Sequence, residues 1–181
     1  MTAAASSRSF GDVSVECARG DITAQPDVDA VVNAANAQLA PGGGVAGAIH
    51  RVAGPGLYEE SRPLAPIRTG EAVITSGHGL PNAWCIHALG PVFAESDDPA
   101  GELASCYRQI LDRAEEHGVR SIATPAISTG IFGYPVEEAA DVALRTIAGR
   151  SGDLRTVRLV RFVLWGEKDH DAHTAALEGI S

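Results

Sequence analysis

The chain has 181 residues, 45% of them hydrophobic and 20% charged, enough for one substantial domain and short for two. Its formal net charge is −9 and Lys168 is its one lysine, which argues against general nucleic-acid binding, where lysine and arginine displace phosphate counterions. No apolar run approaches the ~18–20 residues of a membrane span, and Cys17, Cys85 and Cys106 form neither a CxxC pair nor a disulfide framework, so a reducing cytoplasm is the expected setting.

Met1 to Phe10 carries one charge, Arg8, and no apolar h-region. Residues 1–12 are expected to form a flexible tail rather than a signal peptide, with a single domain over residues 13–181. Val13 to Cys17 alternates and predicts a strand. Gly20-Asp-Ile-Thr23 turns, with Asp21 or Thr23 able to cap. Ala30 to Asn33 is a short apolar run and predicts a buried strand. After a glycine-rich loop, Val45, Ala48, Ile49 and Val52 have helical spacing, giving a helix from near Gly44 to Gly54, and Pro55 opens a second short one through Arg62. Glu71 to Ser76 and Trp84 to Leu89 predict strands. Glu102 to His117 is amphipathic, with Leu103, Cys106, Tyr107, Ile110, Leu111 and Ala114 on one face. Ser121 to Thr124 predicts a strand, Pro135 the first position of a helix, Thr156 to Trp165 a strand and His170 to Leu177 a closing helix. Strands alternating with helices, without a linker, imply a single α/β domain with a mostly parallel or mixed sheet.

Two loops stand out. The first runs from Asn33 through Asn36 to Gly42-Gly-Gly44, with a small-residue helix behind it. Free backbone amides at a helix N-terminus form an anion site. The second is Ser128-Thr-Gly-Ile-Phe-Gly-Tyr-Pro135. Both leave the carboxyl ends of predicted strands, where open α/β sheets bind ligands, and so can face one crevice. With so few basic side chains, an anionic ligand would be held by amides and helix dipoles.

Other chemistries fit less well. Gly42, Gly44 and Gly47 satisfy GxGxxG, but Asn33 to Pro41 separates them from their strand, and nothing acidic stands near Ile67 where a ribose-binding residue belongs. A Walker A loop needs Gly-Lys-Ser/Thr, which is absent. His170 and His173, at i, i+3, lack further ligands and read as a solvated face, so no metal is expected. His87, inside an apolar strand, reads as a hydrogen-bonded core residue. Asn33 and Asn36 suit either loop bracing or recognition of a sugar hydroxyl. Asp21 either caps a turn or accepts from an exocyclic amine. Trp165 is core or a flat face for a base. Phe132 packs on a ligand ribose or on the first loop.

Taken in order, Gly20-Asp-Ile-Thr23, Val32-Asn-Ala-Ala-Asn36, Gly42-Gly-Gly-Val-Ala-Gly-Ala-Ile-His50, Ile86-His-Ala-Leu-Gly-Pro91 and Pro125-Ala-Ile-Ser-Thr-Gly-Ile-Phe-Gly-Tyr-Pro135 resemble the macrodomain family of ADP-ribose-binding modules, over about Val13 to Leu177. The second loop and Ala48-Ile-His-Arg51 are most similar to its MacroD-type branch. The resemblance implies a three-layer α/β/α sandwich around a mixed, mostly parallel sheet. It implies adenine on Asp21, with Ile22 nearby and Trp165 flanking the ring. The diphosphate would lie on Gly43, Gly44, Val45, Ala46 and Gly47 and on Ser128, Thr129, Gly130, Ile131 and Phe132. Asn36 would meet the distal ribose, making Asn36, Gly44 and Phe132 the expected catalytic set.

Members of that branch remove mono-ADP-ribose from acidic side chains of proteins and deacetylate O-acetyl-ADP-ribose, without a cofactor. Their usual aspartate after Gly-Gly-Gly-Val is Ala46 here, as in viral macrodomains. The resemblance therefore implies a hydrolase in which a ligand phosphate holds the attacking water, or else a non-catalytic reader of ADP-ribose or of ADP-ribosylated proteins.

Overall fold

The computed structural model describes residues 6–181. Seven strands form one sheet in the order β1-β2-β7-β6-β3-β5-β4. They are β1 Ser6–Phe10, β2 Val13–Arg19, β3 Ala30–Ala34, β4 Ala72–Ser76, β5 Trp84–Ala88, β6 Ser121–Thr124 and β7 Leu159–Leu164. The five central strands are parallel, and the edge strands β1 and β4 run antiparallel to β2 and β5. Helices α1 Gly44–Ala53 and α2 Pro55–Ser61 pack on one face, and α3 Pro99–Glu116, α4 Val136–Arg150 and α5 Glu167–Glu178 on the other.

The period-2 alternation of the strands builds both cores. Val32, Ile86, Ile122 and Phe162 meet the helices of the α3–α5 layer, while Val31, Cys85, Ala123 and Val163 meet α1 and α2. Strands buried on both faces read as continuous apolar runs, which is why β3 was legible as Ala-Val-Val between polar flanks. The expected α/β/α sandwich with a mixed, mostly parallel sheet is the architecture observed.

Several boundaries differ from expectation. Residues 6–12 are not a tail: Ser6–Phe10 pairs with β2 from Ser6↔Cys17 to Phe10↔Val13, across Gly11-Asp12, with Gly11 at φ 59°. The tail expected over residues 1–5 lies outside the described residues. A polar edge strand half in water has no apolar alternation to reveal it. Its Arg8 guanidinium donates to the carbonyls of Leu177 and Ile180 at the end of α5 (2.7 and 2.5 Å), satisfying acceptors that a helix terminus leaves open.

Helix α3 starts at Pro99, three residues before the expected Glu102, because Asp98 caps it: its Oδ1 accepts from the Gly101 amide at 3.1 Å. Pro135 is the N-cap of α4 rather than its first residue. Strand β7 is shorter than the expected 156–165, since the Glu115 carboxylate takes the amide of Thr156 away from the sheet. His173, expected on a solvated face, is 1% exposed and packs its ring 5.2 Å from that of Phe162.

Candidate functional site

Strands β2, β7, β6 and β3 are neighbours and parallel, so their carboxyl ends open on one side of the sheet. A crevice of about 370 Å³ lies on that side at the ends of β6, β3 and the neighbouring β5, lined by segments 34–36, 42–46, 126–128 and 130–132 with Ala88 and Gly90. That volume is within the range of small-molecule sites. Among the described residues, none that lines it carries an ionisable side chain.

One wall is the start of α1. Its N-cap, Gly43, has no side chain to offer, and its first turn holds no acid. The leading amides of a ten-residue helix therefore face the crevice unmatched, at the positive end of its dipole. Asn36 shapes the approach to this wall. Its Nδ2 donates to the Ala40 carbonyl (2.9 Å) and its Oδ1 accepts from the Ala40 amide (3.0 Å). This is loop bracing, one of the two roles open from sequence. It leaves one N–H and one lone pair of the amide for a ligand. The turn it closes holds Leu39 at φ 57° with its side chain fully buried.

The opposite wall is the second loop. Ser128 sits at φ 69° and accepts from the Tyr134 amide at 2.8 Å. Its Oγ is buried without a protein partner, so a hydroxyl donor stands available at the crevice. Gly90 is required beneath it, since a Cβ there would lie 2.2 Å from Ser128 Oγ. Phe132 packs against a small core of Ala35, Leu39, Ile67 and Leu89. It thus rests on the first loop, as one of its two sequence readings had it, and couples the two walls. Ile131, 99% exposed, forms the rim.

Asp21, Ile22 and Trp165 stand beside the crevice rather than in its wall, at the ends of β2 and β7. The Gly20 amide donates to the Leu164 carbonyl (3.2 Å) and ties the two ends together. Trp165 is 84% exposed and so is not core. Ile22 is buried against the α1–α2 side. Asp21 is exposed, and its Oδ1 accepts from both the amide and the hydroxyl of Thr23 (2.8 and 2.7 Å). Those bonds hold its carboxyl below the usual carboxylate range.

Besides Asp21, Ile22 and Trp165, two further expected ligand residues do not line the crevice, Gly47 and Thr129. Gly47 faces the loop's own backbone: a Cβ would lie 2.3 Å from the Gly42 carbonyl oxygen. Thr129 is half-buried. Sequence reasoning in turn missed the floor, where Ala34, Ala88, Gly90 and Ala126 keep the strand ends small enough to leave a crevice. A signal existed in the runs of small residues that end the apolar strands.

Behind the floor, Asn33, His87 and Thr75 join β3, β5 and β4 in a buried chain. Asn33 Nδ2 donates to His87 Nδ1 (3.1 Å), so the ring proton sits on Nε2 and goes to Thr75 Oγ1 (2.9 Å), whose hydroxyl donates to the Ser76 carbonyl. Burial pushes the His87 imidazole down to about 3. His87 is thus the hydrogen-bonded core residue expected. A histidine with a depressed native pKa contributes stability that is complete above its unfolded value of ~6.5 and is lost as the pH falls toward 3. The unfolding free energy should therefore drop by about 1.4 kcal/mol per pH unit below 6 from His87 alone. Denaturant titrations from pH 7.5 to pH 5 check this, and a flat series would mean that the ring is not held neutral.

The chain's relatives agree with this architecture. A Macro domain family model matches residues 32–143. The chain belongs to the macrodomain family. A macro domain-containing protein of Chlorobaculum tepidum is 48% identical over 167 residues, 92% of this macrodomain chain and 96% of its own. ADP-ribose glycohydrolase MACROD1 of Mus musculus is 52% identical over 131 residues, 71% of this chain and 40% of that longer protein, in line with the MacroD-type resemblance. The Oceanobacillus iheyensis macrodomain solved with ADP superposes with a TM-score of 0.90 at 39% identity, covering 97% of this chain and 95% of that one.

Proposed function

We propose that this macrodomain binds ADP-ribose along the carboxyl ends of β2, β7, β6 and β3 and hydrolyses the ester that joins ADP-ribose to acidic protein side chains. The observation that carries the reading is a crevice walled by uncapped amides, with Asn36 at its edge and no ionisable side chain in its lining. The α1 amides and the second loop take the diphosphate, Asp21 and Trp165 the adenine, and the free N–H of Asn36 the distal ribose. Structures of the Trypanosoma brucei macrodomain with ADP-ribose and of the Oceanobacillus iheyensis protein with ADP support this ligand class.

The absence of an ionisable lining bears on the chemistry. Without a general acid, the bond that breaks must release a group that is stable as an anion. A carboxylate is one, whereas an alkoxide or an amide nitrogen needs a proton in the transition state. Water is the nucleophile, held by a ligand phosphate, and positioning supplies the catalysis. Solved variants of the Oceanobacillus iheyensis protein replace an asparagine, a glycine and an aspartate spaced seven and three residues apart, the spacing of Asn36, Gly43 and Ala46 here.

Ala46 favours a second reading, a reader that binds ADP-ribose without cleaving it. It is 6% exposed, beside the amides of α1, where a carboxylate would be the group to orient water. Incubation with a protein carrying mono-ADP-ribose on glutamate separates the two. Release above the uncatalysed rate at saturating protein is expected. No release, together with a large gain in Ala46→Asp, would establish the reader.

A further inference from the structure

We propose that Arg161 is a positioning residue for base recognition: acting through Gln25, it holds the backbone that carries Asp21 and so sets the preference for a purine bearing an amine. The inference rests on the ADP-ribose reading above. Asp21 lies in the loop 20–29, which has no helix or strand of its own. An exposed carboxylate on such a loop discriminates between bases only if its orientation is fixed before the ligand arrives, since ordering it on binding would consume the gain.

The structure shows how it is fixed. Thr23 occupies Asp21 Oδ1 with two donors and leaves Oδ2 uncommitted. Gln25 Nε2 donates to the Asp21 carbonyl at 3.0 Å, and Gln25 Oε1 accepts from Arg161 Nη1 at 3.1 Å. The guanidinium therefore decides which end of the Gln25 amide faces Asp21. Arg161 is itself anchored on β7. Its Nε donates to Glu16 on the neighbouring β2 (2.9 Å), and Nη1 and Nη2 grip the two oxygens of Asp27 (2.9 and 2.8 Å). From the other side, Asn82 Nδ2 donates to the carbonyls of Gln25 and Val28 (2.7 and 2.9 Å).

Two features separate this from an ordinary surface ion pair. Arg161 is only 16% exposed along its side chain, so its bonds are partly shielded from water and salt. Two carboxylates already neutralise it, which leaves no free charge to draw a phosphate. Its planar fork serves four acceptors on three residues at once, a geometry that a lysine ammonium on a flexible stem does not reproduce.

Calorimetry of the full chain with ADP-ribose and with its hypoxanthine analogue, IDP-ribose, tests the proposal. In the analogue a carbonyl oxygen replaces the amine and would face Asp21 Oδ2, acceptor against acceptor. The parent should prefer ADP-ribose by about tenfold or more, the worth of a hydrogen bond to a charged group. In Arg161→Lys and in Gln25→Ala that ratio should fall toward the value of Asp21→Ala, near unity, while the affinity for IDP-ribose holds. Gln25→Ala removes no charge and should keep the parental melting temperature, so it reads positioning without unfolding. A ratio unchanged in both variants, or an equal loss for both ligands, overturns the brace. A parent that binds both ligands equally removes Asp21 from base reading and overturns it too. A parent that binds neither overturns the ADP-ribose reading itself, a result told apart from the others before any variant is made.

Discussion

Asn36→Ala is expected to slow release of ADP-ribose from a glutamate-linked substrate by about 10²-fold, the cost of misplacing a reacting group by roughly 1 Å. The reason lies in the double hold on Ala40, made by both ends of the Asn36 amide. Alanine removes that hold and, with it, the uncommitted N–H of the amide in a single step. The freed turn carries Leu39 in a left-handed conformation, which a leucine keeps only when its neighbours impose it. Since Leu39 is part of the small core under Phe132, the second wall should loosen with the first. Single-turnover assays at saturating enzyme measure the chemical step directly, with calorimetry against ADP-ribose beside them. A rate equal to the parent's would take Asn36 out of the reaction. A loss in affinity alone, with the bound rate intact, would make it a binding residue only.

Gly47→Ala should cost about 1–3 kcal/mol of stability, the range for overpacking a tight site, and lower the affinity for ADP-ribose by about tenfold or more, since the diphosphate wall would have to open. The added methyl would stand 2.3 Å from the Gly42 carbonyl oxygen, a backbone atom that cannot swing aside as a side chain can. Gly43→Ala is the control for stability: φ there is −88°, and an added Cβ meets nothing within 4 Å. Thermal melts of the two variants, with and without ADP-ribose, compare them. Equal behaviour of both would show that the close approach of residues 42 and 47 is not what shapes the wall.

The two glycines carry a wider point about what was legible. The glycine run announced an anion loop, because free amides and a helix start are local properties. Which glycine faces the crevice and which faces its own loop was not announced, because that depends on the path by which the loop turns back on itself. Asp21 and Trp165 show the same division. Their residue types suggested base recognition, but that they stand together follows from β2 pairing with β7, strands separated by most of the chain. The missed strand β1 and the buried ring of His173 failed for a related reason. A polar edge strand and a histidine among charged neighbours look solvated until another element packs on them.

The sequence by itself therefore determined the kinds of element and their order, the two loops, and the chemistry available to them. Periodicity, capping and glycine content act within a few residues, and the chain states them directly. Only the tertiary structure decided the strand order that lines up β2, β7, β6 and β3, the small-residue floor between the walls, and the brace that runs from Arg161 to Asp21. Those features come from pairings between distant segments. Their free energy is set by burial and hydrogen bonding across the whole domain, and no local pattern records it.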